Sequence, residues 1–226
     1  WIKMSPLDDV FHRNDYAQQM AEQLLKPSPL QRNVRSGVFL TGIRRVGKTT
    51  FLRQDLVPAL EARGALVIYV DLWADRTKSP AALVHEAVRE TLRALQTPGS
   101  GLLQRLKGLN LGAAGITFGF ALDSVGVSGG ATLAQAFEEL VTKAKVDVVL
   151  IVDEVQQAMN SEEGYNLLHA LKAARDAVNA KPDTSGYFLF LGTGSHKSLV
   201  TDMTTRRAQP FTGAVAAPYD LLGKDF

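Results

Sequence analysis

Residues 38–52 restrict the possible folds more than any other stretch: Val38-Phe39-Leu40-Thr41-Gly42-Ile43-Arg44-Arg45-Val46-Gly47-Lys48-Thr49-Thr50-Phe51-Leu52. A short apolar run ends at Gly42, four residues intervene, and Gly47-Lys48-Thr49 opens a segment in which Phe51, Leu52, Leu56 and Leu60 recur at helical spacing. The pattern G-x-x-x-x-G-K-[ST] between a strand and a helix is the form of a phosphate-binding loop. Its glycines let the backbone curl until several N–H groups point into one concavity. The helix beginning near Lys48 adds its positive end. Gly42, Arg44, Arg45, Val46, Gly47, Lys48, Thr49 and Thr50 are the expected phosphate-facing residues. Lys48 is expected on the β- and γ-phosphates, the Thr49 hydroxyl on Mg2+, and Thr50 near the α-phosphate.

A chain of 226 residues allows one large domain, or one domain with an insertion. Hydrophobic residues make up 46%, ample for a core. The formal charge is 25 − 23 = +2. With a pI of about 8.8, the charge does not indicate a nucleic-acid partner. Cysteine is absent, which excludes a disulfide framework and thiolate metal sites. No apolar run approaches the roughly 18 residues of a membrane span, and no signal peptide is visible. A cytoplasmic protein without a membrane partner is the expectation. Because the chain starts at Trp1 and stops soon after its last expected strand, it is also expected to be part of a longer protein.

Before the loop, Asn14 or Asp15 could cap a helix running to about Leu25 and ended by Lys26-Pro27-Ser28-Pro29. Phe11 or Tyr16 either walls a base or packs that helix. Ala65–Leu72 is a continuous apolar run, the pattern of a strand buried on both faces. Asp71 at its end either caps a turn or touches the site. Pro80 opens a helix carrying Leu83, Val84, Ala87, Val88, Leu92 and Leu95 on one stripe. Strand and helix in alternation predict an α/β fold with a parallel sheet. Residues 97–130 interrupt the rhythm. Leu109-Asn110-Leu111 and Ile116–Leu122 partly alternate around Gly112 and Gly115, which predicts an inserted β-hairpin. Such a hairpin either meets a partner or lies flat on its own domain.

A further helix from Leu133 leads to Val146–Val152, an apolar run ending in Asp153-Glu154, the Walker B form. Buried strands present such carboxylates at the carboxyl edge of the sheet, where open α/β folds bind ligands. Asp153 is expected to hold magnesium through water, and Glu154 to polarise an attacking water. A helix over about 162–178 precedes another apolar run, Tyr187–Leu191, which ends in Gly192-Thr193-Gly194-Ser195. Thr193 or Ser195 could hydrogen-bond a phosphate or the water, or cap a tight turn. Arg206-Arg207 form either a solvated helix end or an arginine finger, and Gly213–Ala217 reads as a fifth strand.

Together these three motifs resemble the AAA+ and STAND-type ATPases over roughly residues 10–220. The likeness is greatest to the archaeal-type ATPases that also occur in bacteria and are similar to origin-recognition ATPases. The resemblance implies a P-loop NTPase core of five parallel strands in the order 5-1-4-3-2, flanked by helices. It implies ATP and ADP as ligands, Mg2+ as cofactor, and hydrolysis at the β–γ bond. The residues carried over are Lys48 and the loop for the phosphates, Thr49 and Asp153 for the metal, and Glu154 for water. Ser195 stands where the family carries a polar sensor, commonly Asn. Arg206 or Arg207 stands near the position of an arginine finger, which in such proteins acts on a neighbouring copy in a homo-oligomer. The small helical lid usual after this core has no counterpart in these residues. A turnover ATPase, a slow nucleotide-dependent switch and an initiator-like DNA-binding ATPase all remain compatible with this reading, and the protein partner stays unassigned.

Overall fold

A computed structural model describes residues 11–106, 115–195, 197–205 and 209–219. Helix α1 (Asn14–Leu25) precedes strand β1 (Val38–Thr41). A loop then enters α2 (Lys48–Phe51), a π-helical turn (Leu52–Leu56) and α3 (Val57–Glu61), one continuous helical run. Pro58 accounts for the widened turn, because it offers no N–H to the carbonyl four residues back and its ring crowds that turn. There follow β2 (Leu66–Asp71), α4 (Pro80–Gln96), α5 (Gly101–Arg105), α6 (Leu133–Ala144), β3 (Val148–Asp153), α7 (Glu162–Asn179), β4 (Phe188–Gly194), α8 (Lys197–Thr205) and β5 (Val215–Pro218). Four of the described helices start on side-chain caps. The Ser79 hydroxyl accepts from Ala82 N–H ahead of Pro80, Ser100 accepts from Leu103 N–H, Ser161 accepts from Gly164 N–H, and Thr132 forms a reciprocal capping box with Gln135.

The five strands form one parallel sheet in the order β2-β3-β4-β1-β5, the expected order read from the opposite edge. Side chains alternate across each strand, and both faces are covered. Phe39, Val148, Leu150, Val152, Phe188 and Phe190 pack with α4, α6 and α7. Val38, Leu40, Val149, Ile151, Leu189 and Leu191 pack with α1 and the helical run after β1. Phe137 of α6 stacks on Phe188 of β4 with centroids 3.8 Å apart. The central strands are therefore apolar on consecutive residues, as the sequence pattern required.

Three expectations need correction. First, β2 is not buried on both faces. It is the last strand of the sheet, and Val67, Tyr69 and Asp71 on one of its faces stay partly exposed. Second, 116–122 is not an arm of a β-hairpin among the described residues; 109–111 lie outside them. Its alternation arises because Ile116 and Phe118 turn into the core while the backbone wraps helix ends. Ile116 N–H donates to Leu95 O at 2.8 Å, and Gly119 N–H donates to the Glu139 carboxylate, with Oε2 at 2.8 Å. Third, neither Asn14 nor Asp15 caps α1. Arg13 holds the cap position, and its N–H is taken by the buried Asp55 carboxylate at 2.8 Å. Arg206 and Arg207 lie outside the described residues.

Candidate functional site at the carboxyl edge of the sheet

Parallel pairing in register aligns the carboxyl ends of four strands. Thr41 of β1 pairs with Gly194 of β4, Val152 of β3 with Gly192 of β4, and Asp71 of β2 with Asp153 of β3. The loop after β1, the Asp153-Glu154 pair and the Thr193–Ser195 segment thus meet at one edge, although they are far apart in sequence.

The loop turns as its composition demands. Gly47 has φ 83° and Arg45 φ 66°, both left-handed, and the helical run starts at Lys48. Lys48 is buried, only 5% exposed. Its ammonium donates to the carbonyls of Gly42 at 2.7 Å and Ile43 at 2.8 Å. Burial lowers its pKa from the ordinary lysine value; the nearby Glu154 and Asp153 charges oppose that shift and Arg44 adds to it. Arg44 and Arg45 are exposed, as is Thr49, while Gly42, Val46 and Thr50 are partly buried.

Asp153 is 1% exposed and receives four donors. The Thr49 hydroxyl donates to Oδ2 at 2.6 Å and the Tyr69 phenol to the same oxygen at 2.8 Å. The Thr193 hydroxyl and the Glu154 N–H, the latter at 3.1 Å, donate to Oδ1. A carboxylate has about four acceptor sites, so this buried charge is fully compensated. Glu154 sits at φ 56° in the left-handed region, which swings its side chain off the strand direction. Its Oε2 accepts from the Gln156 amide and from Ser195 Oγ at 3.1 Å. Gln156 Nε2 also reaches Ser195 Oγ at 3.2 Å. Its Oε1 is buried with no partner among the described residues. Arg44 closes the rim, with its Nε 3.5 Å from Ser195 Oγ and its guanidinium 5.0 Å from the ring centre of Trp73.

The structure therefore brings Gly42, Lys48, Thr49, Asp153, Glu154, Thr193, Ser195 and Arg44 to one place. Thr193 turns its hydroxyl to Asp153, and Ser195 faces Glu154. Asp71 takes the turn alternative, accepting from Trp73 N–H at 2.8 Å. Tyr16 packs the helix, with its ring 5.2 Å from Phe51 and Arg13 lying over both Tyr16 and Tyr219. Phe11 is half-exposed. Sequence reasoning missed Tyr69 and Gln156. Tyr69 was legible only as a polar tip within an apolar strand, and Gln156 carried no signal.

The donor set suits magnesium held jointly with phosphates. One hydroxyl and one carboxylate, both hard oxygen ligands, stand together beside a buried ammonium. No cluster of three or more His, Cys, Asp or Glu among the described residues could hold a metal alone. No helix among them is long and apolar enough to cross a membrane.

A family model described as an ATPase domain predominantly from Archaea matches residues 27–193. No curated protein sequence matches the chain. Among solved structures, a Walker-type ATPase of Pyrococcus abyssi superposes with a TM-score of 0.62 at 22% identity, covering 96% of this chain and 56% of that one. Cdc6p of Pyrobaculum aerophilum gives 0.54 at 15% identity, over 100% and 49%. The ORC1 protein of Aeropyrum pernix, solved in complex with DNA, gives 0.51 at 15% identity, over 94% and 46%. These likenesses concern the fold, and the chain spans about half the length of the structures it matches.

Proposed function

The chain belongs to the family of ATPase domains found predominantly in Archaea, and from that premise we propose that it binds ATP with Mg2+ and hydrolyses the β–γ bond. The observation that carries this reading is the meeting of Thr49 Oγ1 and Asp153 Oδ2 at 2.6 Å beside the Lys48 ammonium.

Lys48 exchanges its two loop carbonyls for β- and γ-phosphate oxygens. The loop amides from Gly42 to Thr49 hold the same phosphates, and Thr50 lies toward the α-phosphate. Thr49 and Asp153 hold the magnesium, which when bound neutralises charge developing on the phosphates. Glu154 orients and polarises the attacking water. Arg44 stands at the rim, where its cation can reach a terminal phosphate. Most of the catalysis is positioning and charge compensation. Calorimetric titration with ATP, with and without Mg2+, tests binding, and release of inorganic phosphate tests hydrolysis. Absence of Mg2+-dependent ATP binding would sink the proposal.

A second reading, a slow nucleotide-dependent switch, is favoured by one observation. Glu154 Oε2 is already engaged by Gln156 and Ser195, so the carboxylate must exchange those donors before it can direct a water. Phosphate release measured across protein concentrations separates the readings, because a turnover enzyme completed by a neighbouring copy gains specific activity on assembly. The same assay with DNA present tests the initiator-like role.

A further inference from the structure

We propose that Tyr69 is a positioning residue for Asp153, holding the carboxylate in the orientation that lets it share a divalent cation with Thr49. The proposal rests on the nucleotide-binding reading above.

The argument starts from how the four donors divide. Oδ1 is fixed from within the sheet, by the Thr193 hydroxyl on β4 and by the Glu154 N–H. Oδ2 is the oxygen turned toward the loop, and it lies between Thr49 Oγ1 at 2.6 Å and the Tyr69 phenol at 2.8 Å. These two donors differ in what a cation asks of them. Thr49 is exposed, sits at the start of the helical run, and must turn a lone pair to the cation. Tyr69 is anchored on β2, whose backbone pairs with β3 from Leu66↔Val148 to Asp71↔Asp153. Its ring is also backed by Arg53, whose guanidinium lies 4.6 Å from the ring centre. Tyr69 therefore supplies the Oδ2 hydrogen bond that does not depend on the state of the loop.

The phenol is suited to a permanent donor role. A phenol ionises only at about pH 10, so at neutral pH Tyr69 donates its proton to Oδ2 without any change of charge. Partners that orient a metal-binding carboxylate typically change metal affinity by about 10–100-fold when removed. Tyr69 belongs to the low end of that range, because Thr193 and the Glu154 amide remain on Asp153. A tyrosine that merely filled the face of an edge strand would be indifferent to the cation.

The test uses the whole chain carrying Tyr69→Phe, which keeps the ring and its stacking with Arg53. A fluorescent ADP derivative is titrated in EDTA and then across a series of Mg2+ concentrations. The affinity in EDTA should stay within about twofold of wild type, and the Mg2+ concentration giving half of the affinity gain should rise by about tenfold. An unchanged midpoint, a lowered midpoint, or a loss of affinity already present in EDTA overturns the positioning role. Failure of wild type itself to bind the nucleotide would instead remove the premise, and the two failures are distinguishable in one experiment.

Discussion

Thr49 Oγ1 donates to Asp153 Oδ2 across 2.6 Å, joining the loop after the fourth strand of the sheet order to the end of the second across 104 positions of sequence. This bond places the hydroxyl that follows Lys48 beside the carboxylate that ends β3. The expected consequences of substitutions around it follow from the geometry.

Lys48→Ala should weaken ATP binding at least tenfold, about 1.4 kcal/mol. The variant loses the buried ammonium that reaches into the loop and also leaves the carbonyls of Gly42 and Ile43 without it. Calorimetry reads the affinity, and a thermal melt controls for the lost hydrogen bonds. Unchanged binding would remove the phosphate-loop reading.

Glu154→Gln keeps the shape of the side chain but cannot polarise water as a carboxylate does. ATP binding should survive while phosphate release falls by about 100-fold or more, the usual size of a general-base contribution. Turnover near wild type would move the water-directing role to another residue.

Ser195→Ala removes a donor from Glu154 Oε2 and the hydroxyl beside Arg44. If the engaged carboxylate limits the reaction, single-turnover hydrolysis should rise severalfold. A fall in rate would instead give Ser195 the sensor role that its place after β4 first implied.

Gly192→Ala should destabilise the fold by about 1–3 kcal/mol, the usual cost of overpacking. A Cβ at this position would lie 2.8 Å from two ring carbons of Phe39 and 3.2 Å from Val155. Phe39 is itself fully buried and packed edge-on to Phe211 at 5.2 Å, so it has little room to give. Chemical denaturation measures the loss, and an unchanged midpoint would mean that the β1–β4 pair can shift to admit a methyl group.

His85 should make the fold less stable in mild acid. Burial, with Arg89 next, lowers its pKa below 6.5, and Glu163 only partly opposes this. The unfolded chain therefore binds more protons than the folded one between the folded pKa and 6.5. Stability contributed by neutral His85 is present above pH 6.5 and is lost as pH falls toward the folded value, below which the loss levels off. Denaturant unfolding of wild type and His85→Gln at pH 7.5 and 5.5 checks this. The variant should show a smaller drop, and an equal drop would assign the acid sensitivity elsewhere.

What the sequence by itself determined is what short-range rules govern. The spacing Gly42–Thr49 demanded a turn with left-handed residues before a helix. Runs of apolar residues at 148–152 and 188–191 demanded strands covered on both faces, and Pro80 marked a helix start. Family resemblance added the strand order. Tertiary structure decided everything that depends on which distant elements become neighbours. It left one face of the edge strand β2 incompletely covered, so Tyr69 is partly exposed despite its apolar surroundings. It sent Ile116 and Phe118 into the core against helix ends instead of into a hairpin. It placed Thr193 on Asp153 and Gln156 on Glu154, and it aimed Tyr69 at a carboxylate 84 positions away. The physical reason is that periodicity and capping act over a few residues, whereas a hydrogen bond between side chains of different strands exists only once sheet order and register are set. The loop could be read from its own residues. The support around its partner carboxylate could not, because no local pattern records which strand will lie beside β3.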